Sequence, residues 1–398
     1  MEKIYLDNAA TTSLSAEVLN AMMPVLTDKY GNSSSIHSFG REASNLIDQS
    51  RDIIADSINA KSNEIYFTSS GSEANSWAII GIANANRAHG NHIITSKIEH
   101  PSVLEACRYL ENNGFKVTYL DVDKNGFVNF ADYLRALSST TILVTIMSAN
   151  NEIGTIQNIK ALALTAHEKG AIFHTDAVQL YGNMSIDVQD LGIDAMSISS
   201  HKIYGPKGMG CLYVSNKVKI EPIVFGGNQE RGKRGGSSNT AGIVGFGKAC
   251  EIATQNMRTN NHKLRLLSEY FITKLTETVE HVTFNANIKQ KLPHIISVAF
   301  TGIDGESLLT KLDMNGVAVS TGSACTSNSL SVSHVMEAIG LSNEAAHGTI
   351  RISLSKNNSF EELDAAIAII KRSVDELRAY SSTYGLKIRK RKGGDNVQ

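Results

Sequence analysis

Ala195-Met196-Ser197-Ile198-Ser199-Ser200-His201-Lys202-Ile203-Tyr204-Gly205-Pro206-Lys207-Gly208 is the stretch from which the fold is read. Met196 and Ile198 alternate against serines with the period of a strand, and the strand runs into a polar turn rich in Gly and Pro. One lysine, Lys202, stands between His201 and that turn. Burial at a strand end strips water from an ammonium group and favours the neutral amine. A neutral lysine is the nucleophile that forms a Schiff base with an aldehyde. In isolation a strand-end lysine is more often a solvated turn residue, so its company decides the reading.

Upstream, Ala171-Ile172-Phe173-His174-Thr175-Asp176-Ala177-Val178-Gln179 is another short apolar run, ending in a carboxylate and then an amide. An Asp at a strand end is more often a helix cap. A pyridoxal 5'-phosphate (PLP) site, however, needs a carboxylate beside the ring nitrogen, where it keeps the ring an electron acceptor. It also needs a donor near the ring hydroxyl, which Gln179 can supply. A strand ending in Asp, followed by a strand ending in Lys, favours the cofactor reading.

These two stretches resemble the cysteine desulfurases of the NifS and IscS kind, in the fold-type I, class V aminotransferase group. The resemblance begins at Tyr5-Leu6-Asp7-Asn8-Ala9-Ala10-Thr11-Thr12 and runs to about Leu377. It implies a fold-type I PLP-dependent transferase: an α/β protein with a mostly parallel, doubly wound sheet in a large domain and a smaller α/β C-terminal domain.

Composition is compatible with that. The chain has 398 residues, 42% hydrophobic and 19% charged, with a formal net charge of −1. That is ordinary for a globular protein of two domains, and no global field favours nucleic acid or an anionic membrane. The four cysteines, Cys107, Cys211, Cys250 and Cys325, have neither zinc-like nor paired spacing. Free thiols suit a reducing compartment, and no membrane span or signal peptide is read at the N-terminus, so a cytoplasmic location is expected. No metal site is expected.

The pattern along the chain divides it into an N-terminal arm (1–15) packing with the small domain, a large PLP-binding domain (16–257), a small C-terminal domain (258–382) and a basic tail (383–398). The tail is expected to be disordered and solvated, without direct nucleic-acid contact. Short apolar strands alternate with helices through the first half, as in an open parallel sheet. Ser70, His100, Asn151, Asp176 and Lys202 each follow the C-terminal end of such a strand. Ligand sites of open α/β sheets gather at that edge. A long glycine-rich polar segment, 225–240, is followed by a helix to about Met257, and a second helix is expected from about Arg258 to Val282.

Particular residues carry the chemistry. Ser70-Gly71-Ser72 at a strand-to-helix turn offers backbone N–H groups and hydroxyls to a phosphate. The family has a Gly-Ala-Thr-like stretch there, so this is a variant that keeps a hydroxyl. Ser199 and His201 match the family's other phosphate contacts, and Ser237 the hydroxyl that reaches across from the second subunit of a homodimer. His100 matches the histidine stacked on the PLP ring, and Asn151 the amide that contacts ring hydroxyl or substrate. In His347-Gly348-Thr349-Ile350-Arg351-Ile352-Ser353-Leu354 the isoleucines and leucine share one face and Arg351 the other. A planar guanidinium suits a substrate carboxylate, with Asn32 assisting.

Ser320-Thr321-Gly322-Ser323-Ala324-Cys325-Thr326-Ser327-Asn328-Ser329-Leu330 is small and polar around one thiol, unlike the apolar surroundings of Cys211 and Cys250. A thiol so placed is a reactive one. The segment resembles the long catalytic loop (320–330) of the NifS and IscS branch. The resemblance therefore implies L-cysteine as substrate, Lys202, Cys325 and His100 as catalytic residues, and a Cys325 persulfide handed to a sulfur acceptor such as an iron–sulfur scaffold or a tRNA thiolation system. A class V aminotransferase would have no use for Cys325, whereas a selenocysteine lyase would share the scaffold.

Overall fold

The structure, a computed structural model, describes residues 3–286, 290–321, 332–380 and 384. Cys325, the rest of the 322–330 segment and the basic tail beyond Tyr384 lie outside the described residues. The strand β1 (Ile4–Tyr5) stands apart from the main sheet. Seven short runs build that sheet: β2 (Ile65–Thr68), β3 (His92–Ser96), β4 (Lys116–Leu120), β5 (Thr141–Thr145), β6 (Ile172–Asp176), β7 (Ala195–Ser199) and β8 (Gly210–Val214). Their order is β2-β8-β7-β6-β5-β3-β4. All neighbours are parallel except β8, which is antiparallel to both β2 and β7. A parallel crossover needs a dozen or more residues, usually a helix. The link from β7 to β8 carries only a short helical turn, Ser200–Lys202, so the chain doubles back.

The pleat sends neighbouring residues to opposite faces of the sheet. Ile94, Val144 and Tyr213 enter one core with Ile47, Ile54 and Phe246, while Ile93, Leu143 and Leu212 enter another with Trp77, Ile82 and Leu110. Helices therefore cover both faces, and β3, β5, β7 and β8 are buried along their whole length. Burial pushes the Cys107 thiol up to about 12 and raises Cys211 and Cys250 as well, which leaves these three thiols inert.

The expected break between two helices near Arg258 is absent. One helix of 39 residues runs from Thr240 to Thr278. Its buried side chains fall in two groups, Ala241 to Cys250 against the main core and Leu264 to Leu275 against a second one. The polar middle reads as a break in sequence, but it is the exposed span between two cores. The second core lies on a three-stranded antiparallel sheet of β9 (Val282–Phe284), β10 (Ile295–Phe300) and β12 (Thr349–Ser353), in the order β12-β10-β9. β11 (Val317–Ala318) pairs in parallel with β1, and the helix Phe360–Tyr380 closes the core with Leu363, Ile367 and Ile370.

The glycine-rich segment is tied to the edge strand β2. Arg51 makes a two-pronged ion pair with Glu230 (2.7 and 2.9 Å), and the Phe67 N–H donates to the same carboxylate at 3.0 Å. Arg234 pairs with Glu73 at 2.8 Å, and the Arg231 guanidinium lies over the Tyr66 ring at 4.2 Å. Glu230 and Arg231 adopt left-handed backbone angles (φ 45 and 58). Such angles cost about 1 kcal/mol or more per residue, which these charged contacts offset.

Candidate active site

The helix Gly71–Ser76 starts where β2 ends, and Ser70 caps it, its Oγ accepting from the Glu73 N–H at 3.1 Å. Gly71 is needed here: a Cβ would meet Val178 Cγ2 at 2.7 Å. The turn after β3 leads into the helix Pro101–Asn112, capped by His100. Asp176 ends β6, and Lys202 lies in the turn after β7. Ser70, Gly71, Ser72, His100, Asn151, Asp176, Gln179, Ser199, His201, Lys202 and Arg351 all line one cavity of about 310 Å³. Asn32 and Ser237 do not line it; both are exposed in this chain.

Asp176 is 5% exposed. Its Oδ2 accepts from Asn75 Nδ2 at 2.7 Å and its Oδ1 from the Val178 N–H at 2.9 Å. Lys202 Nζ donates to the carbonyls of Ala9 (2.6 Å) and Ala10 (2.7 Å). Gln179 Nε2 donates to the same Ala9 carbonyl at 2.9 Å, so that donor is engaged by the N-terminal turn. His201 Nδ1 lies 3.1 Å from Thr11 Oγ1, and burial with the neighbouring Lys202 pushes it down to about 4. Burial also lowers His100, which leaves a neutral ring at pH 7.

Arg351 comes from β12 and is almost fully covered, while Ile350 and Ile352 enter the second core. Its Nη2 donates to Asp7 Oδ1 at 2.9 Å and its Nη1 to the Asn151 carbonyl at 3.0 Å. Its Nε–H is buried with no hydrogen-bond partner among the described residues. A buried unpartnered donor on a cation is costly unless an anion completes it.

The site fits PLP by its chemistry. It combines a lysine, a buried carboxylate, a helix N-terminus approachable at Gly71, and the Ser199 Oγ, which is buried and without a hydrogen-bond partner among the described residues. The cavity is of the size that holds a small ligand. Among the described residues no group of three or more side chains could hold a metal ion, and no helix is long and apolar enough to cross a membrane.

Seven residues in or behind the site were not named from the sequence. Ala9 and Ala10 act through backbone carbonyls that no side-chain reading can find, and Asp7 of the same turn through its carboxylate on Arg351. Asn75 and Ser102 join Asp176 to His100. Glu99 is fully buried, accepting from the Met147 N–H at 3.0 Å and from Ser96 Oγ at 2.6 Å. Glu152 is buried against Ser333 Oγ at 2.6 Å.

Burial pushes Glu152 up to about 7 and Glu99 up to about 8, from an ordinary value of 4.5. As pH rises the unfolded chain ionises these groups first, so stability is full below pH 4.5 and is lost as pH rises through 7 and 8. Glu152→Gln keeps an acceptor for Ser333 and cannot ionise. It is expected to remove its share of that loss, on the order of 2 kcal/mol. Urea unfolding on either side of neutral pH measures it, and an unchanged pH slope in the variant would contradict the assignment.

Comparison with known proteins gives the family. The Aminotransferase class-V family model matches residues 4–366. A Clostridium botulinum protein named cysteine desulfurase IscS is 48% identical over 382 residues, covering 96% of each chain. A solved structure described as a NifS-like protein superposes with a TM-score of 0.89 at 35% identity, covering 94% of this chain and 100% of that one. Another, described as SspA in complex with cysteine, gives a TM-score of 0.80 at 37% identity, covering 89% and 100%. With a family match over nearly its whole length and close to half its residues shared with a named relative, the chain belongs to the aminotransferase class-V family, among its PLP-dependent cysteine desulfurases.

Proposed function

We propose that the protein converts L-cysteine to L-alanine and passes the sulfur, as a persulfide on Cys325, to an acceptor. The observation that carries this reading is the convergence of Lys202, Asp176, His100 and Arg351 on one cavity. PLP, when bound, supplies an electron sink for the bonds of an amino acid's α-carbon. Lys202 would hold it, Asp176 would stand beside its ring nitrogen, and Ser70, Gly71, Ser72, Ser199 and His201 would take its phosphate.

Arg351 binds the substrate carboxylate, completing its buried Nε–H, and Asn151 fixes the guanidinium through its carbonyl. Lys202 Nζ moves the α-proton. The Cys325 thiolate attacks the substrate sulfur: an S–S bond forms, the Cβ–S bond breaks, and its electron pair goes to the β-carbon, which is protonated. One enzyme thiol and one L-cysteine give one persulfide and one L-alanine, with no further oxidant or reductant.

The same reading makes the protein a cytoplasmic homodimer. Ser237 is exposed on a segment pinned by Glu230 and Arg234, where it is available to the phosphate site of a second copy. The acceptor is a sulfur-receiving protein such as an iron–sulfur scaffold. Incubation of the purified holoenzyme with L-cysteine and a thiol reductant tests the proposal. Catalytic and equal amounts of alanine and sulfide are expected. PLP-binding protein that releases neither would move the reading to transamination, and a strong preference for selenocysteine would move it to a lyase.

A further inference from the structure

His100 caps its helix through Nδ1, which accepts the Ser102 backbone N–H at 3.1 Å and lies 2.8 Å from Ser102 Oγ. A nitrogen that accepts a backbone N–H carries no proton of its own. The hydroxyl is oriented as well. Asn75 Nδ2 donates to Ser102 Oγ at 2.9 Å and to Asp176 Oδ2 at 2.7 Å. A carboxylate only accepts, so Asn75 must present its N–H pair to both partners. With an acceptor lone pair of Ser102 filled, its own hydrogen points at His100 Nδ1. Asn75 is 1% and Asp176 5% exposed, while Ser102 and His100 are half-buried at the cavity wall.

We propose that Ser102, oriented by Asn75, is a positioning residue that holds His100 as the neutral Nε2–H tautomer, so that His100 meets the reacting groups as a hydrogen-bond donor and not as a base. A neutral ring with its proton on Nε2 has no free lone pair to take a substrate proton, and proton transfer at carbon falls to Lys202. The charged and titratable groups facing the ring are Asp176 from β6, Lys202 after β7 and His334 from the helix His334–Ala338. Of these, Asp176 favours the charged ring, while Lys202, His334 and above all burial oppose it. The tautomer is assigned from the donors around the ring. The inference rests on the reading that His100 faces the substrate.

Histidine nitrogen NMR of the ¹⁵N-labelled holoenzyme, with the His100 signal identified by its loss in His100→Gln, tests the tautomer without reference to activity. The expected pattern is a pyridine-like Nδ1 and a pyrrole-like Nε2 that persist from pH 7 to 8. Ser102→Ala keeps the backbone N–H on Nδ1 and loses only the hydroxyl, so it is expected to leave the tautomer in place, loosen the ring and lower kcat about tenfold with little change in KM, the loss of one hydrogen bond. Ser102→Thr is expected to restore kcat. His100→Gln, whose amide N–H falls near the Nε2 position, is expected to keep at least tenfold more activity than His100→Asn. A protonated or Nδ1–H ring in that pH range overturns the proposal, as does equal loss in the Gln and Asn variants. If both variants are as active as the wild type, the role of His100 in the reaction fails, while the NMR pattern still decides the tautomer.

Discussion

Lys202→Ala is expected to lower L-cysteine turnover by about 10³-fold or more, because one side chain both holds the cofactor and moves the α-proton. The structure gives the reason for the placement. β7 ends at Ser199, a single helical turn carries Lys202 into the cavity, and its Nζ meets the Ala9 and Ala10 carbonyls. Those acceptors fix the nitrogen in position. Borohydride trapping followed by peptide mapping checks the assignment. The wild type is expected to carry the reduced cofactor on the Lys202 peptide, and the variant to carry none. Full turnover in Lys202→Ala would remove the lysine from the mechanism.

Arg351→Lys is expected to raise KM for L-cysteine about 100-fold while changing kcat far less. Charged hydrogen bonds contribute about 1.5–3 kcal/mol each, and a lysine cannot reproduce the planar fork. The guanidinium divides its donors among Asp7, the Asn151 carbonyl and the buried Nε–H. An ammonium there would collapse toward Asp7 and leave a ligand carboxylate with a weaker partner. Binding of L-alanine to the holoenzyme, followed by its visible spectrum, separates affinity from chemistry. Unchanged affinity in the variant would show that the carboxylate is held elsewhere.

The strand-end residues were legible in the sequence because a strand buried on both faces is a continuous apolar run, and the polar turn that follows it stands at the sheet's open edge. That is how Ser70, His100, Asn151, Asp176 and Lys202 could be named together, and the structure places all five on one cavity. The helix Thr240–Thr278 was not legible as one element. Its middle has no apolar stripe, and its continuity comes from two cores that grip its ends. Asn75, Ser102 and Glu152 were not legible either, since each acts through a partner that only the fold brings near. In the N-terminal turn, Ala9 and Ala10 are a third kind of case: they work through backbone carbonyls, which every residue possesses.

The glycine-rich segment shows the limit of reading composition alone. Its glycines and serines suggest a free loop, yet Glu230, Arg231 and Arg234 fasten it to the edge of the sheet. An unpaired edge strand invites association, and charged side chains laid along it are one way to protect it. The exposed Ser237 therefore projects from a fixed base.

In this mechanism all the sulfur passes through Cys325, and the mass of one peptide reports it. The holoenzyme is mixed with one equivalent of L-cysteine without reductant, quenched with an alkylating agent and digested, and the Cys325 peptide is weighed. The expected result is the mass of one added sulfur atom on that peptide, together with one equivalent of alanine, and neither in Cys325→Ala although the cofactor stays bound. Alanine formed at the wild-type rate by Cys325→Ala, or added sulfur found on Cys107, Cys211 or Cys250 instead, would contradict it.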